Sequence, residues 1–346
     1  MNSHSLATSS PISISTVNEL HTNNRQHYLT NRLSAYRSSL YLELPASPEE
    51  KARRLSNLGI ETSGFLRATP REDNNTLFPN NLWQIACLTR LGLPLTSFLS
   101  NSLRCPDCKD NPLIGLNVNH FNNCPMVSGG IKKRHDRVVQ AISSLLKCAG
   151  ISYTTNPEPT YPINNSGEDI RGDMLVFQHN FPKNSIPEIK SSFNPLMIDV
   201  TIKSPLTDSA LSHKSSEVRH ATALYGYNSK VSKHSTLCAQ NSFDFLPLSF
   251  ETSGACHTSC LQFIKLLAAR HSDKISIPKS VIINYWICVV SCALHINEAA
   301  KIYNGITRCQ LASSSNIDIN IYNTIYNPSK HHFRFPTSSH KNPVVD

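Results

Sequence analysis

Apolar residues recur at helical spacing in four stretches and alternate with polar ones in three. Leu82, Trp83, Ala86 and Leu91 predict an amphipathic helix that stops at Gly92, with Pro94 just beyond. Val138, Val139, Ile142, Leu145, Leu146 and Ala149 form one stripe, ended by Gly150 and preceded by a Ser128-Gly129-Gly130 turn. Leu261, Ile264, Leu267 and Ala268 mark a third helix, and Tyr285 to Ala300 a fourth. Strands are predicted at Met174 to Phe177, at Leu196 to Ile202 between Pro195 and Pro205, and at Phe245 to Phe250. A further helical segment lies near Ser209 to Tyr225, followed by a basic segment, Lys230 to His234. Ser47-Pro48-Glu49-Glu50 reads as a helix start, with a cap, a proline at the first helical position and a returning acid.

The ends of the chain lack such periodicity. Residues 1–46 are rich in Ser, Thr and Asn and read as a disordered or loosely helical leader. Acids are absent before Glu19, so a transit peptide stays open beside plain disorder. The expected order is then a helical region at 47–104, a cysteine-containing knuckle at 105–127, an α/β core at 128–270, a helical extension at 271–312 and a disordered tail at 313–346. Val281 to Ile296 is apolar but falls short of a bilayer span.

Composition adds a partner class. Of 346 residues, 33 are Lys or Arg and 24 are Asp or Glu, a formal charge of +9. That balance favours a polyanion such as DNA or RNA, because neutralising phosphates releases counterions. No membrane partner and no small-molecule cofactor is expected. Eleven cysteines without a secretory leader point to a reducing nuclear or cytoplasmic setting and to metal ligation rather than disulfides.

Cys105, Cys108, His120 and Cys124 have the spacing C-x2-C-x11-H-x3-C. Three thiolates and an imidazole make a full tetrahedral set for structural zinc. Just beyond, Lys132, Lys133, Arg134, His135 and Arg137 crowd a helix start. Cations there oppose the helix dipole, so phosphate binding and a solvated basic turn are the two readings. In the second strand Ile198, Val200 and Ile202 point one way, and Asp199, Thr201 and Lys203 the other. Asp173 opens the preceding strand. Two such carboxylates on neighbouring strands suit a hard cation, Mg2+, which can polarise a phosphate and activate water. The alternative is a polar row facing solvent.

The order of the motifs adds a resemblance. Gly64-Phe65-Leu66-Arg67-Ala68-Thr69-Pro70 is followed by Leu88-Thr89-Arg90-Leu91-Gly92-Leu93-Pro94. Next come the Cys/Cys/His/Cys cluster, Arg134-His135-Asp136, Glu158-Pro159, Arg171-Gly172-Asp173 and Ile198-Asp199-Val200-Thr201. Lys230-Val231-Ser232-Lys233-His234 and Phe245-Leu246-Pro247 with Glu251 complete the series. Over residues 52–305 the chain resembles the restriction-like endonuclease, of the PD-(D/E)xK class, in the C-terminal region of non-LTR retroelement reverse transcriptases. The resemblance implies a restriction-endonuclease-like core, a mixed central sheet flanked by helices, with a zinc knuckle before it. It also implies Mg2+-dependent DNA nicking by Asp173 and Asp199, with Glu158 reaching the metal.

The sequence departs from that pattern at Gly172, where proline is usual, at Thr201, where many such enzymes have lysine, and at His234, where the related segment has tyrosine. Lys230 is the first choice for the displaced lysine and Lys203 the second, with Lys233 a DNA contact. His135 reads as a phosphate or helix-cap ligand ahead of a catalytic base. No Tyr-x-Asp-Asp signature occurs, so the polymerase carboxylates are not in this sequence. The competing expectation is a zinc-knuckle remnant that binds nucleic acid without cutting it.

Overall fold

The computed structural model describes residues 22–73, 75–95, 98, 103–108, 118–155 and 172–313. The chain divides into two units, Met1–Ser47 and Pro48–Asp346. Among its described residues the first contains α1 (Thr22–Glu43), where the leader was expected to be disordered or loosely helical. No Gly or Pro interrupts that stretch, so local propensity carries a helix even without an apolar stripe.

The second unit starts with α2 (Pro48–Ser56), where Glu50 pairs with Arg53 and Arg54 one turn on. Two helices follow, α3 (Gly64–Arg67) and α4 (Asn80–Leu91). Gly92 ends α4 in the left-handed conformation with φ 67°, and its amide bonds back to the last turn. A side chain at Gly92 would collide with the Arg53 guanidinium, so glycine is required there twice over. Short 3-10 turns at Val118–Asn122 and Pro125–Val127 lead into α5 (Ser128–Cys148). The Ser-Gly-Gly expected as a turn is the first turn of α5. Gly130 lies where a Cβ would meet the Lys301 side chain at 2.8 Å, which permits the close approach of the last helix.

Four strands form one mixed sheet in the order β1 (Tyr153–Thr155), β2 (Met174–Val176), β3 (Leu196–Lys203), β4 (Asp244–Glu251). The first three are antiparallel neighbours, and β3 and β4 are parallel. Parallel pairing needs a crossover, supplied by α6 (Asp208–Ser212) and α7 (Ala221–Gln240). The helix expected at Ser209 to Tyr225 is thus broken in two. Lys214 and His220 take left-handed backbone between the pieces, and the basic segment Lys230 to His234 belongs to α7. β1 was not expected: three residues are too few to show alternation. Asp244 orders the long β2–β3 connection, accepting hydrogen bonds from the amides of Lys190 (2.8 Å) and Ser191 (3.2 Å) and from Asn194 Nδ2 (3.1 Å).

One sheet face packs Ile198, Val200, Leu246, Leu248 and Phe250 against α5, α8 (Thr258–Ile275) and α9 (Lys279–Ser313). The other lies under α7, where Leu175, Met197, Cys238 and Phe245 form a small second layer. A third cluster joins Phe65, Leu82, Ile85, Phe121 and Val127 to Ala299, Ile302 and Ile306 of α9. The 35-residue α9 is much longer than the apolar run that announced it. It is long and apolar enough to cross a membrane, but 61% of its apolar window is buried inside the fold, as in a core helix.

Within this core lies a buried ion triad. The Glu298 carboxylate pairs with Arg134 of α5 and, at 2.8 Å, with Lys301. Burial pushes the Glu298 carboxyl up, but Lys301 and Arg134 more than reverse that and hold it at about 2. Lys301 shifts down: burial and the repulsion of Arg134 outweigh the one carboxylate it shares. Glu298→Gln leaves two buried cations without a counter-charge and should cost about 3–5 kcal/mol, read from urea unfolding. The folded pKa lies below the unfolded value of 4.5. The stabilisation is therefore complete above pH 4.5 and is lost as pH falls through about 2.

Candidate active site and metal centre

The register that pairs Met174 with Ile198 sets Asp173 across from Asp199, on the same face of the sheet. The ladder between β2 and β3 then stops, and the peptide of Val200 finds side-chain partners instead. Its amide donates to Asp173 Oδ2 at 2.6 Å, and its carbonyl accepts from His135 Nε2 at 3.1 Å. The same Nε2 lies 3.2 Å from Asp173 Oδ2, and His135 Nδ1 lies 3.2 Å from Asp136 Oδ1. Acceptors at both ring nitrogens favour the imidazolium form of His135. The hydrogen bond to Asp173 is the largest cause and lifts its pKa to about 9 against the opposing effect of burial.

The two carboxylates are close enough to shift each other's titration. They are held in opposite states. Burial pushes Asp173 up, but His135 and the Val200 amide more than offset it, so its pKa is lowered. Asp199 is 4% exposed, and burial, with Asp173 adding, raises it to about 6 against the pull of Lys230. Lys230, from α7, places its ammonium 2.7 Å from Asp199 Oδ2, although that oxygen accepts no well-aligned hydrogen bond. The polar row of β3 therefore does not face solvent at Asp199; α7 covers it.

The remaining residues sort by location. Thr201 lies under Gly226 of α7, where a Cβ would come 2.5 Å from Ser249 Oγ and 3.3 Å from Thr201 Cγ2. Lys203 lies further along β3, its ammonium 5.0 Å from the centre of the Tyr225 ring, and is not part of the carboxylate cluster. His234 is buried against Phe245, with ring centres 5.5 Å apart. Lys132, Lys133 and Lys233 are exposed, and Arg137 is half-buried with a bond to Gln140. Arg134, expected on the nucleic-acid surface, is buried on Glu298 instead. It sits one turn before Val138 and two before Ile142, on the apolar stripe itself, a signal the sequence carried. His135, expected at a phosphate or a cap, is instead bound to Asp173. Glu158 lies outside the described residues.

No known protein-family model matches this sequence, and no curated protein matches it significantly. The chemistry therefore rests on the geometry.

The second cluster is the cysteine knuckle. The ligand atoms of Cys105, Cys108, His120 and Cys124 all lie within 4.8 Å of one another. The Cys105–Cys124 and Cys108–Cys124 sulfur separations are 3.7 and 3.8 Å, and Cys108 Sγ to His120 Nε2 is 3.7 Å. Tetrahedral zinc with bonds of about 2.3 Å requires sulfurs roughly 3.8 Å apart. These four residues can hold a metal such as zinc. None of the eleven cysteines is in a disulfide.

Purified protein should carry about one zinc per chain by plasma mass spectrometry, and Cys124→Ser should lose it. In metal-free protein the His135 ring should titrate near pH 9 by NMR, and Asp173→Asn should return it toward about 6.5. The folded pKa is raised above the unfolded one. The stabilisation from this pair is then full below about pH 6.5 and lost as pH rises through about 9.

Proposed function

We propose that the protein is a Mg2+-dependent DNA endonuclease of the PD-(D/E)xK class, related to the nuclease region of non-LTR retroelement reverse transcriptases. The observation that carries this reading is the Asp173–Asp199 pair with Lys230 at 2.7 Å. The mixed sheet flanked by helices is the arrangement that the resemblance implies. A lysine delivered from the helix after β3, not from position 201, also matches the related segment.

The residues fit a divalent cation. Asp199 is raised to about 6 by burial and by the neighbouring carboxylate, against the pull of Lys230, so a divalent cation at the pair would favour its ionised form. Asp173 and Asp199 would hold Mg2+, which supplies polarisation of the scissile phosphate and a lower pKa for the attacking water. Lys230 stabilises the charge that develops on the phosphate in the transition state. His135 and the Val200 amide fix the Asp173 carboxylate, so the pair does not reorganise as charge builds. At the knuckle, a closed four-ligand zinc site serves structure and leaves no open position for chemistry.

One feature favours the second reading, nucleic-acid binding without cleavage. His135 and the Val200 amide both occupy Asp173 Oδ2, which leaves that oxygen little acceptor capacity for a metal. That protein would bind DNA with strong salt dependence and leave it intact.

Nicking of supercoiled plasmid decides between them. The nuclease nicks with Mg2+ and stops with a chelator. Asp199→Asn abolishes nicking, and Lys230→Ala lowers the rate by about 100-fold or more. Absence of nicking at any Mg2+ concentration, or equal nicking by Asp199→Asn, would falsify the nuclease reading.

A further inference from the structure

A cavity of about 230 Å3 lies outside the carboxylate pair, which does not line it. The carboxyl end of β3, the first turn of α7, and Asn122 and Asn123 beside the last knuckle ligand form its walls. Thr222, Lys203, Tyr225 and Arg134 line it, and no Asp or Glu does among the described residues.

Its donors are unspent. Thr222 is 1% exposed, and its hydroxyl has no hydrogen-bond partner among the described residues. Arg134 is 4% exposed; its Nη1 serves Glu298, while its Nε has no partner. Leaving a buried donor unmade costs about 1–3 kcal/mol, so such groups call for an explanation. Lys203 holds its ammonium against the Tyr225 ring, and no carboxylate lies within ion-pair distance of it among the described residues. Thr222, Arg134 and Lys203 all line this cavity, and that combination of residue types suits a compact anion with several acceptor oxygens. Lys203 is four residues along β3 from Asp199, about 13 Å by strand rise. That separation is too large for one shared phosphate and is about four phosphates of axial rise along one strand.

We propose that this cavity binds a phosphate group of a nucleic-acid strand, a few nucleotides from the cut. The identity of the strand rests on the nuclease reading; the phosphate chemistry does not.

The test uses the full zinc-loaded chain without Mg2+, with Lys203→Gln and Thr222→Val. Inorganic phosphate binding is measured by calorimetry, and binding of a duplex oligonucleotide by fluorescence anisotropy across a salt series. Both variants should bind phosphate and duplex roughly tenfold more weakly, and Lys203→Gln should reduce the salt slope by about 1. Thr222→Val should keep or raise the thermal midpoint, since its hydroxyl has no partner to lose. Unchanged binding of both ligands by both variants means that the cavity holds only solvent and overturns the proposal. Weaker phosphate binding with unchanged duplex binding overturns the strand assignment in favour of a free anion. If the wild type nicks no plasmid but both variants lose phosphate binding, the nuclease reading fails and the cavity stands. If nicking depends on Asp199 while both variants bind phosphate and duplex normally, the cavity fails and the nuclease stands.

Discussion

The peptide of Val200 is the constraint on which the site depends. β3 continues to Lys203, but the β2 ladder ends at Met174–Ile198. A buried amide and carbonyl left unmade would each cost about 1–3 kcal/mol. Asp173 Oδ2 and His135 Nε2 take those two groups. The carboxylate is therefore fixed by the fold, facing Asp199, before any ligand arrives. The imidazolium performs a second task, since it ties the first turns of α5 to the open edge of the sheet.

That tie explains why α9 matters to a site it does not touch. Glu298 of α9 grips Arg134, the residue before His135, so the helix that presents the imidazole is anchored one position away. Further along, α9 meets the knuckle. Gly305 lies where a Cβ would be 2.5 Å from the Phe121 ring, and Arg308 reaches Asp107 at 3.7 Å. One long helix thus positions both the Cys/His cluster and the carboxylate pair, although the two share no ligand. A buried charge triad inside such a helix contributes little net stability by itself. Here it joins two helices: Glu298 of α9 meets Arg134 of α5 as well as Lys301.

Features set by local pattern were legible in the sequence. β3 alternates from Ile198 to Lys203 between two prolines, α5 has a clear stripe, and the knuckle follows from ligand spacing. Pairing of Asp173 with Asp199 followed from strand order, and Lys230 from the resemblance. The failures have a common physical origin. Arg134 and Glu298 are 164 positions apart, and a buried charge looks like a surface charge until its partner is known. His135 was misplaced because its partners, the Asp173 carboxylate and the Val200 carbonyl, lie 38 and 65 positions away. β1 is too short to have a period.

The missing strand lysine and the helix lysine are one packing decision. α7 runs back along the sheet over Thr201 and Ser249, and Gly226 lets it lie close there. A lysine at position 201 would have to thread beneath that contact, whereas threonine fits. Residues four apart share a face of a helix, and a turn of about 5.4 Å nearly matches two strand residues of about 6.6 Å. Gly226 over Thr201 therefore brings Lys230 over Asp199, His234 over Phe245, and Cys238 onto Met197 and Leu175. The approach that excludes a lysine from the strand is the same one that delivers an ammonium from the helix. Thr201 is thus compatible with a working site, and loss of the lysine from the strand is no argument that the chemistry has decayed.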